Sequence, residues 1–206
     1  MSRASAWFFE RVQQAHFYQE LHRQAVSLLP PAQAGQRWFD VGCGPGLLAH
    51  LAQARGYQAT GFDVDAAMLA RAQRSRRSAA QFRQASLQTL ASDHGQAQVV
   101  SAASLLYVVP DAALALAQLL AAVAPGGVLL VVETSPAMAA ASRPAPHAQG
   151  PGAWALPLWA WTRRHRPAVE VAQLCPPGWW VAQRAPLLEG WVHALVLRQH
   201  KASCWA

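Results

Sequence analysis

The run Trp38-Phe39-Asp40-Val41-Gly42-Cys43-Gly44-Pro45-Gly46 constrains this chain most: an apolar stretch carrying one carboxylate leads directly into three alternating glycines. Glycine adopts positive φ without strain and leaves no side chain between backbone and ligand, so such a turn can lie against a bound molecule. Arg37 to Val41 reads as a buried strand. Leu47, Leu48 and Leu51 give the next helix an apolar face, and Gly56 stops it. Strand, glycine turn and helix form the opening unit of a doubly wound sheet. Spacing then narrows the ligand. The dinucleotide fingerprint needs glycine at the third place after Gly44, where Leu47 stands, and no Gly-Lys-Ser/Thr follows to make a phosphate loop.

A second signal is Gly61-Phe62-Asp63-Val64-Asp65, where the alternation from Tyr57 to Phe62 ends in carboxylates. They fall about 20 residues past the glycines, where a ribose-binding acid sits in such folds. Asp63 is the candidate ribose acceptor, because two neighbouring hydroxyls call for a bidentate acceptor. Asp65 precedes Ala66, Ala67 and Met68 and is expected to cap the next helix.

Further landmarks follow in order: Ala97 to Ala102 as a fourth strand, Tyr107-Val108-Val109-Pro110-Asp111 as its loop, and Val128 to Glu133 after Pro125-Gly126-Gly127 as a fifth strand. With these, residues 36 to 134 resemble the class I S-adenosylmethionine-dependent methyltransferases, of the small methyltransferase 11/25 type. The resemblance implies an α/β fold: a doubly wound, mostly parallel seven-stranded sheet with helices on both faces and a C-terminal antiparallel hairpin. It implies S-adenosylmethionine as cofactor. The implied contacts are Asp40, Gly42, Cys43, Gly44, Gly46, Asp63, Val64, Met68, Ser86, Leu87, Ser101 and Ala102. Two departures stand out. Where many relatives carry histidine, this chain has Tyr107, Val108 and Val109, which leaves no obvious base and makes Tyr107 a candidate substrate orienter. Where relatives carry an aspartate after the third strand, it offers Ala85 and Ser86.

Asp111 is expected to cap a helix bearing Leu116, Leu119, Leu120 and Val123, ended by Pro125-Gly126-Gly127. Trp179 to Arg184 and Trp191 to Arg198 read as a hairpin joined by a short polar turn. Residues 6 to 29 read as an amphipathic helix with Phe17, Leu21, Ala25 and Leu28 on one face. In relatives such a helix folds over the cofactor, which makes Phe17 and Tyr18 candidate substrate contacts. Segment 153–166 runs Trp154, Leu156, Leu158, Trp159 and Trp161 into Arg163, Arg164, His165 and Arg166. It reads as a buried cap, as a pocket in which Trp154 and Trp159 meet an aromatic or anionic molecule, or as an amphipathic surface for an anionic membrane. Pro157 argues against a long uninterrupted helix there.

The expected layout is a single domain over 1–206: a helical lid (1–35), a cofactor-binding core (36–134), a substrate cap and loop (135–177) and a closing hairpin (178–200). A content of 53% hydrophobic and 13% charged residues disfavours disorder. The apolar run from Ala112 to Val132 is divided by Gln118 and Pro125-Gly126-Gly127, so no transmembrane segment is expected. Glu10, Arg11 and Gln13 interrupt any secretory core. Cys43, Cys175 and Cys204 are scattered and odd in number, which suits a reducing cytoplasm, and the histidines show no metal-ligand spacing. The net charge of +7 keeps nucleic acid in view as a partner, without an appended module to favour it. A small-molecule methyltransferase is the leading reading. RNA or protein methylation and a non-catalytic S-adenosylmethionine-binding regulator are the alternatives.

Overall fold

The computed structural model describes residues 11–74, 79–139, 149–164 and 168–200. Seven strands form one sheet: β1 (Arg37–Val41), β2 (Gln58–Asp63), β3 (Gln81–Gln84), β4 (Ala97–Ala103), β5 (Val123–Thr134), β6 (Trp179–Leu187) and β7 (Val192–Gln199). Their order is β3-β2-β1-β4-β5-β7-β6, with the first five parallel and β7 antiparallel to both neighbours. The helices are α1 (His16–Ser27), α2 (Leu47–Ala54), α3 (Ala66–Arg74), α4 (Leu90–His94), α5 (Ala112–Ala121), α6 (Pro136–Ala139), α7 (Ala155–Arg164) and α8 (Val171–Leu174). This is the doubly wound, mostly parallel architecture with a closing hairpin that the sequence implies.

Strand alternation divides the core. Trp38, Val99, Leu130 and Val196 point to one face, where they meet Leu21 and Ala25 of α1, Leu48 and Ala52 of α2, and Leu156 and Trp159 of α7. Phe39, Val100, Leu129 and Leu197, each one residue away, point to the other face and pack on Leu90, Leu116 and Leu119. Both faces of a parallel sheet are therefore buried, which is why its central strands read as continuous apolar runs. Asp111 caps α5 by accepting a hydrogen bond from the Leu114 amide at 2.9 Å, and Asp65 caps α3 by accepting from Ala67 at 2.9 Å.

Two element boundaries differ from the sequence reading. The N-terminal helix breaks at Ala15, because the His16 amide bonds the Pro151 carbonyl at 2.9 Å and Gly152 packs against Ala15. Helix α5 ends at Ala121 and not at Pro125-Gly126-Gly127. There the Ala122 carbonyl accepts from the Ala97 amide at 2.9 Å, and the chain enters β5 directly, with a register shift opposite Ala97 and Val99. Pro157 is tolerated in α7 because it occupies the first turn, where its missing N–H would have no helical partner. Arg71 and Arg74 occupy the last turn of α3, while Arg76 and Arg77 lie outside the described residues.

Gly61 of β2 lies in register with Asp40 of β1, and a Cβ there would come within 2.7 Å of Phe82 and 2.9 Å of Cys43 Sγ. Gly61→Ala is expected to cost about 1–3 kcal/mol through overpacking. Thermal denaturation checks this; an unchanged midpoint would contradict the tight packing of β2 under the glycine turn.

Candidate functional site

The strand order reverses between β1 and β4, since one half of the sheet runs outward from β1 and the other from β4. Open α/β sheets bind ligands outside the carboxyl ends of the strands at such a switch point. Here a cleft of about 370 Å³ opens there, lined by Gly42, Gly44, Asp63, Val64, Met68, Leu87, Ser104, Tyr107 and Arg163 among others. A second depression, lined by Arg37, Gln58, Gln81 and His94, lies away from these strand ends.

The turn is built from the residues upward. Gly42, Gly44 and Gly46 have φ of +69°, +52° and +87°. The Gly42 and Cys43 amides both donate to the Phe62 carbonyl, at 2.8 and 3.0 Å, which fastens the turn to the end of β2. Gly44 N–H donates to Asp63 Oδ2 at 2.8 Å, and Asp65 N–H donates to Asp63 Oδ1 at 2.9 Å. The Asp63 carboxylate is thus fixed through one backbone bond per oxygen, and each oxygen keeps a lone pair for a ligand.

A family model described as a methyltransferase domain matches residues 14–181. The chain belongs to this methyltransferase-domain family. It is a class I S-adenosylmethionine-dependent methyltransferase, and S-adenosylmethionine is its cofactor. Among solved structures, it is similar to the N-methyltransferase NodS from Bradyrhizobium japonicum WM9 in complex with S-adenosylhomocysteine (TM-score 0.68, 17% identity, 93% of this chain and 91% of that one covered). It is also similar to magnesium protoporphyrin IX methyltransferase from Synechocystis PCC 6803 with bound S-adenosylhomocysteine (TM-score 0.62, 17% identity, coverage 93% and 86%). A third is the glycopeptide N-methyltransferase MtfA complexed with S-adenosylmethionine (TM-score 0.62, 16% identity, coverage 90% and 97%). No curated protein sequence matches it.

The residues of this methyltransferase fit the cofactor. A Cβ at Gly42 would come within 3.0 Å of Leu105, and its φ of +69° is one that side chains rarely adopt, so glycine is the residue this turn accepts beside the cleft. Beyond Asp63 the cleft wall is apolar, formed by Val64, which is 67% exposed, with Met68, Ala85 and Leu87.

Several residues expected at the cofactor do not line this cleft. Cys43 is buried, and its sulfur packs beneath the turn towards Gly61. Gly46 faces Phe82, which a Cβ would approach to 2.6 Å. Ser86 is not part of the cleft wall; its hydroxyl lies 3.4 Å from that of Thr89, and Gln88 lines the cleft instead. Ser101 and Ala102 are wholly buried within β4, which runs to Ala103, so the cleft is lined by Ala103, Ser104 and Leu105.

Of the substrate candidates, the structure brings Tyr18 and Tyr107 to the cleft. Phe17 and Trp159 are buried against each other at 5.9 Å, with Tyr18 at 6.1 Å from each. Trp154 is 60% exposed and lies outside the lining. Gln13, Ser104 and Arg163 were not picked out as site residues by the sequence pattern. Gln13 Oε1 accepts from the Leu47 amide at 3.2 Å. Ser104 holds a left-handed φ of 57° that nothing in the sequence announces, and such strain gathers at functional sites. Arg163 did carry a signal: with Leu156, Trp159 and Ala160 it falls at i, i+3, i+4 and i+7, the buried face of α7.

Beneath the turn, Asp40 is 2% exposed. Trp38 Nε1 donates to Ser101 Oγ at 2.8 Å, Ser101 Oγ donates to Asp40 Oδ1 at 2.9 Å, and the Ala49 amide donates to Oδ2 at 3.2 Å. Burial nevertheless outweighs these bonds and, with a smaller push from the Asp63 charge, raises the Asp40 carboxyl to about 7. Burial likewise lowers His22 to about 4, keeping it neutral beside Tyr18.

An unfolded aspartate titrates near 3.9, so the folded chain holds the Asp40 proton more tightly, and this group's stabilising contribution is lost as pH rises from about 4 through about 7. Asp40→Asn removes that titration. Its melting temperature relative to the parent is expected to rise between pH 5 and pH 8; a difference independent of pH would show that Asp40 is not a raised, buried acid.

Proposed function

We propose that the protein transfers a methyl group from S-adenosylmethionine to a small molecule held between α1, the loop after β4, and α7. The observation that carries this reading is the corner of the cleft that buried Tyr18 and Arg163 line together with Ser104 and Tyr107, beside the cofactor turn. S-adenosylmethionine supplies a methyl on a sulfonium, open to direct displacement.

In this reading Asp63 accepts hydrogen bonds from the ribose hydroxyls. Val64, Met68 and Leu87 pack on the adenine, with Gln88 at its polar edge. Gly42 and Gly44 let the amino-acid tail approach the backbone beside Gln13. Tyr18 and Tyr107 orient the acceptor.

Asp63 is the one carboxylate among the described lining residues, and no described histidine lines the cleft. Burial raises the Tyr18 phenol, so at neutral pH it stays protonated and serves as a hydrogen-bonding group rather than a base. A site without a base suits a nucleophile that already carries a free lone pair, such as an amine in its neutral form. NodS and MtfA are N-methyltransferases, which agrees with a nitrogen acceptor. Catalysis then rests on holding nucleophile and methyl in line at about 3–3.5 Å, a geometry that alone can supply several kcal/mol.

A nucleic-acid acceptor needs an open basic approach, whereas Arg163, the cation among the described lining residues, is 4% exposed. No helix among the described residues is long and apolar enough to cross a membrane. We place the enzyme in the cytoplasm, where scattered cysteines remain reduced.

Titration with S-adenosylmethionine and with S-adenosylhomocysteine tests the site. Saturable binding is expected, weakened at least tenfold by Asp63→Ala, and an unaltered affinity would remove Asp63 from the ribose role. A panel of small amines should release S-adenosylhomocysteine. Binding without turnover across the panel would favour a regulatory protein instead.

A further inference from the structure

Arg163 is the least satisfied charge at the cleft. It lines the cavity while being 4% exposed, and neither Nε nor Nη1 has a hydrogen-bond partner. Arginine does not shed its proton in proteins, so this side chain carries its charge into the interior. A buried cation is costly unless an anion or acceptors compensate it.

The surroundings supply rigidity rather than compensation. The guanidinium carbon sits 4.5 Å from the Tyr107 ring centroid and 5.5 Å from that of Trp159, so two aromatic rings hold the group in place while Nε and Nη1 stay without hydrogen-bond partners. The nearby carboxylate, Glu133, spends Oε1 on the Leu106 amide at 2.7 Å, and its Oε2 has no hydrogen-bond partner. Burial raises Glu133 to about 7, with the Arg163 charge pulling the other way, so it is an incomplete counter-ion near neutrality. Tyr18 shares this corner, where the Arg163 charge acts on its phenol.

We propose that Arg163 is the receptor for a carboxylate on the methyl acceptor, so that the substrate is an anionic small molecule whose carboxylate anchors at α7. This rests on the methyltransferase reading of the cleft and names the class of molecule that fills it. A planar carboxylate matches the planar donor fork of guanidinium, and its entry supplies the charge that the empty corner lacks. The cofactor also carries a carboxylate, but the turn with Gln13 lies at Gly42 and Gly44, whereas Arg163 stacks on Tyr107 of the loop after β4. The acceptor is therefore the source to which the proposal commits.

Calorimetric titration of the full chain saturated with S-adenosylhomocysteine, using benzoate and its neutral counterpart benzamide as probes, tests this. Benzoate is expected to bind saturably, at least tenfold more tightly than benzamide. Arg163→Gln should abolish that preference while leaving S-adenosylhomocysteine affinity within about twofold. Arg163→Lys, which keeps the charge and loses the fork, should retain part of it. If the Gln variant fails to fold, the wild-type preference and the Lys variant decide.

Equal binding of the two probes, or no benzoate binding by a chain that does bind S-adenosylhomocysteine, overturns the Arg163 proposal alone. Equal loss of benzoate and S-adenosylhomocysteine in Arg163→Gln also overturns it and assigns the residue to the cofactor's own carboxylate. A chain that binds no S-adenosylhomocysteine overturns the reading of the cleft, and this proposal with it.

Discussion

Asp40 sits between two strands that fix it from both sides: its backbone pairs in register with Gly61 of β2 and with Ser101 of β4. The first pairing puts a residue without a side chain where Cys43 and Phe82 must pack under the turn. The second puts a hydroxyl against the carboxylate and, through it, the Trp38 indole. Hydrogen bonds to a charged group contribute about 1.5–3 kcal/mol each. They reduce the cost of burying Asp40 without cancelling it, because the carboxyl still titrates near 7. The Asp40 bond to the Ala49 amide ties the start of α2 to β1, so the position of the glycine turn follows from the pairing of three strands.

The opposite wall of the cleft is set by aromatic packing. Phe17 and Tyr18 of α1 lock onto Trp159 of α7, and His22, neutral by burial, completes the stack on Tyr18 at 4.3 Å. Two helices distant in sequence are thereby held together over the sheet, and each delivers one polar residue to the cleft, Tyr18 from α1 and Arg163 from α7. Ser104, which lines the cleft with Tyr18 and donates its amide to the Val132 carbonyl at 2.8 Å, joins this wall to β4 and β5. The two halves of the cleft therefore have different origins: one is strand register, the other helix packing.

That division explains what could be read from the sequence. Strand register leaves a short-range record in alternating apolar residues and in glycine spacing, so β1, β2, β4, β5, the closing hairpin and the turn at Gly42 to Gly46 are legible in the sequence, while the seven-stranded sheet follows from the family resemblance. Helix packing and loop geometry leave little. Trp154 and Trp159 look alike in sequence, yet one faces solvent and the other lies in the core, and only the i, i+3, i+4, i+7 face shared with Arg163 separates them. A one-residue extension of β4 to Ala103 moved the cleft contact from Ser101 and Ala102 to Ala103–Leu105, a shift that propensity cannot resolve. The left-handed Ser104 is a tertiary constraint with no local signature.

The most direct measurement is a crystal structure of the chain bound to S-adenosylhomocysteine. The account predicts both ribose hydroxyls on Asp63, the adenine between Val64 and Leu87, and the sulfur facing the corner formed by Tyr18, Tyr107 and Arg163. Ligand bound away from the Gly42–Gly46 turn, or its sulfur directed away from that corner, would contradict it.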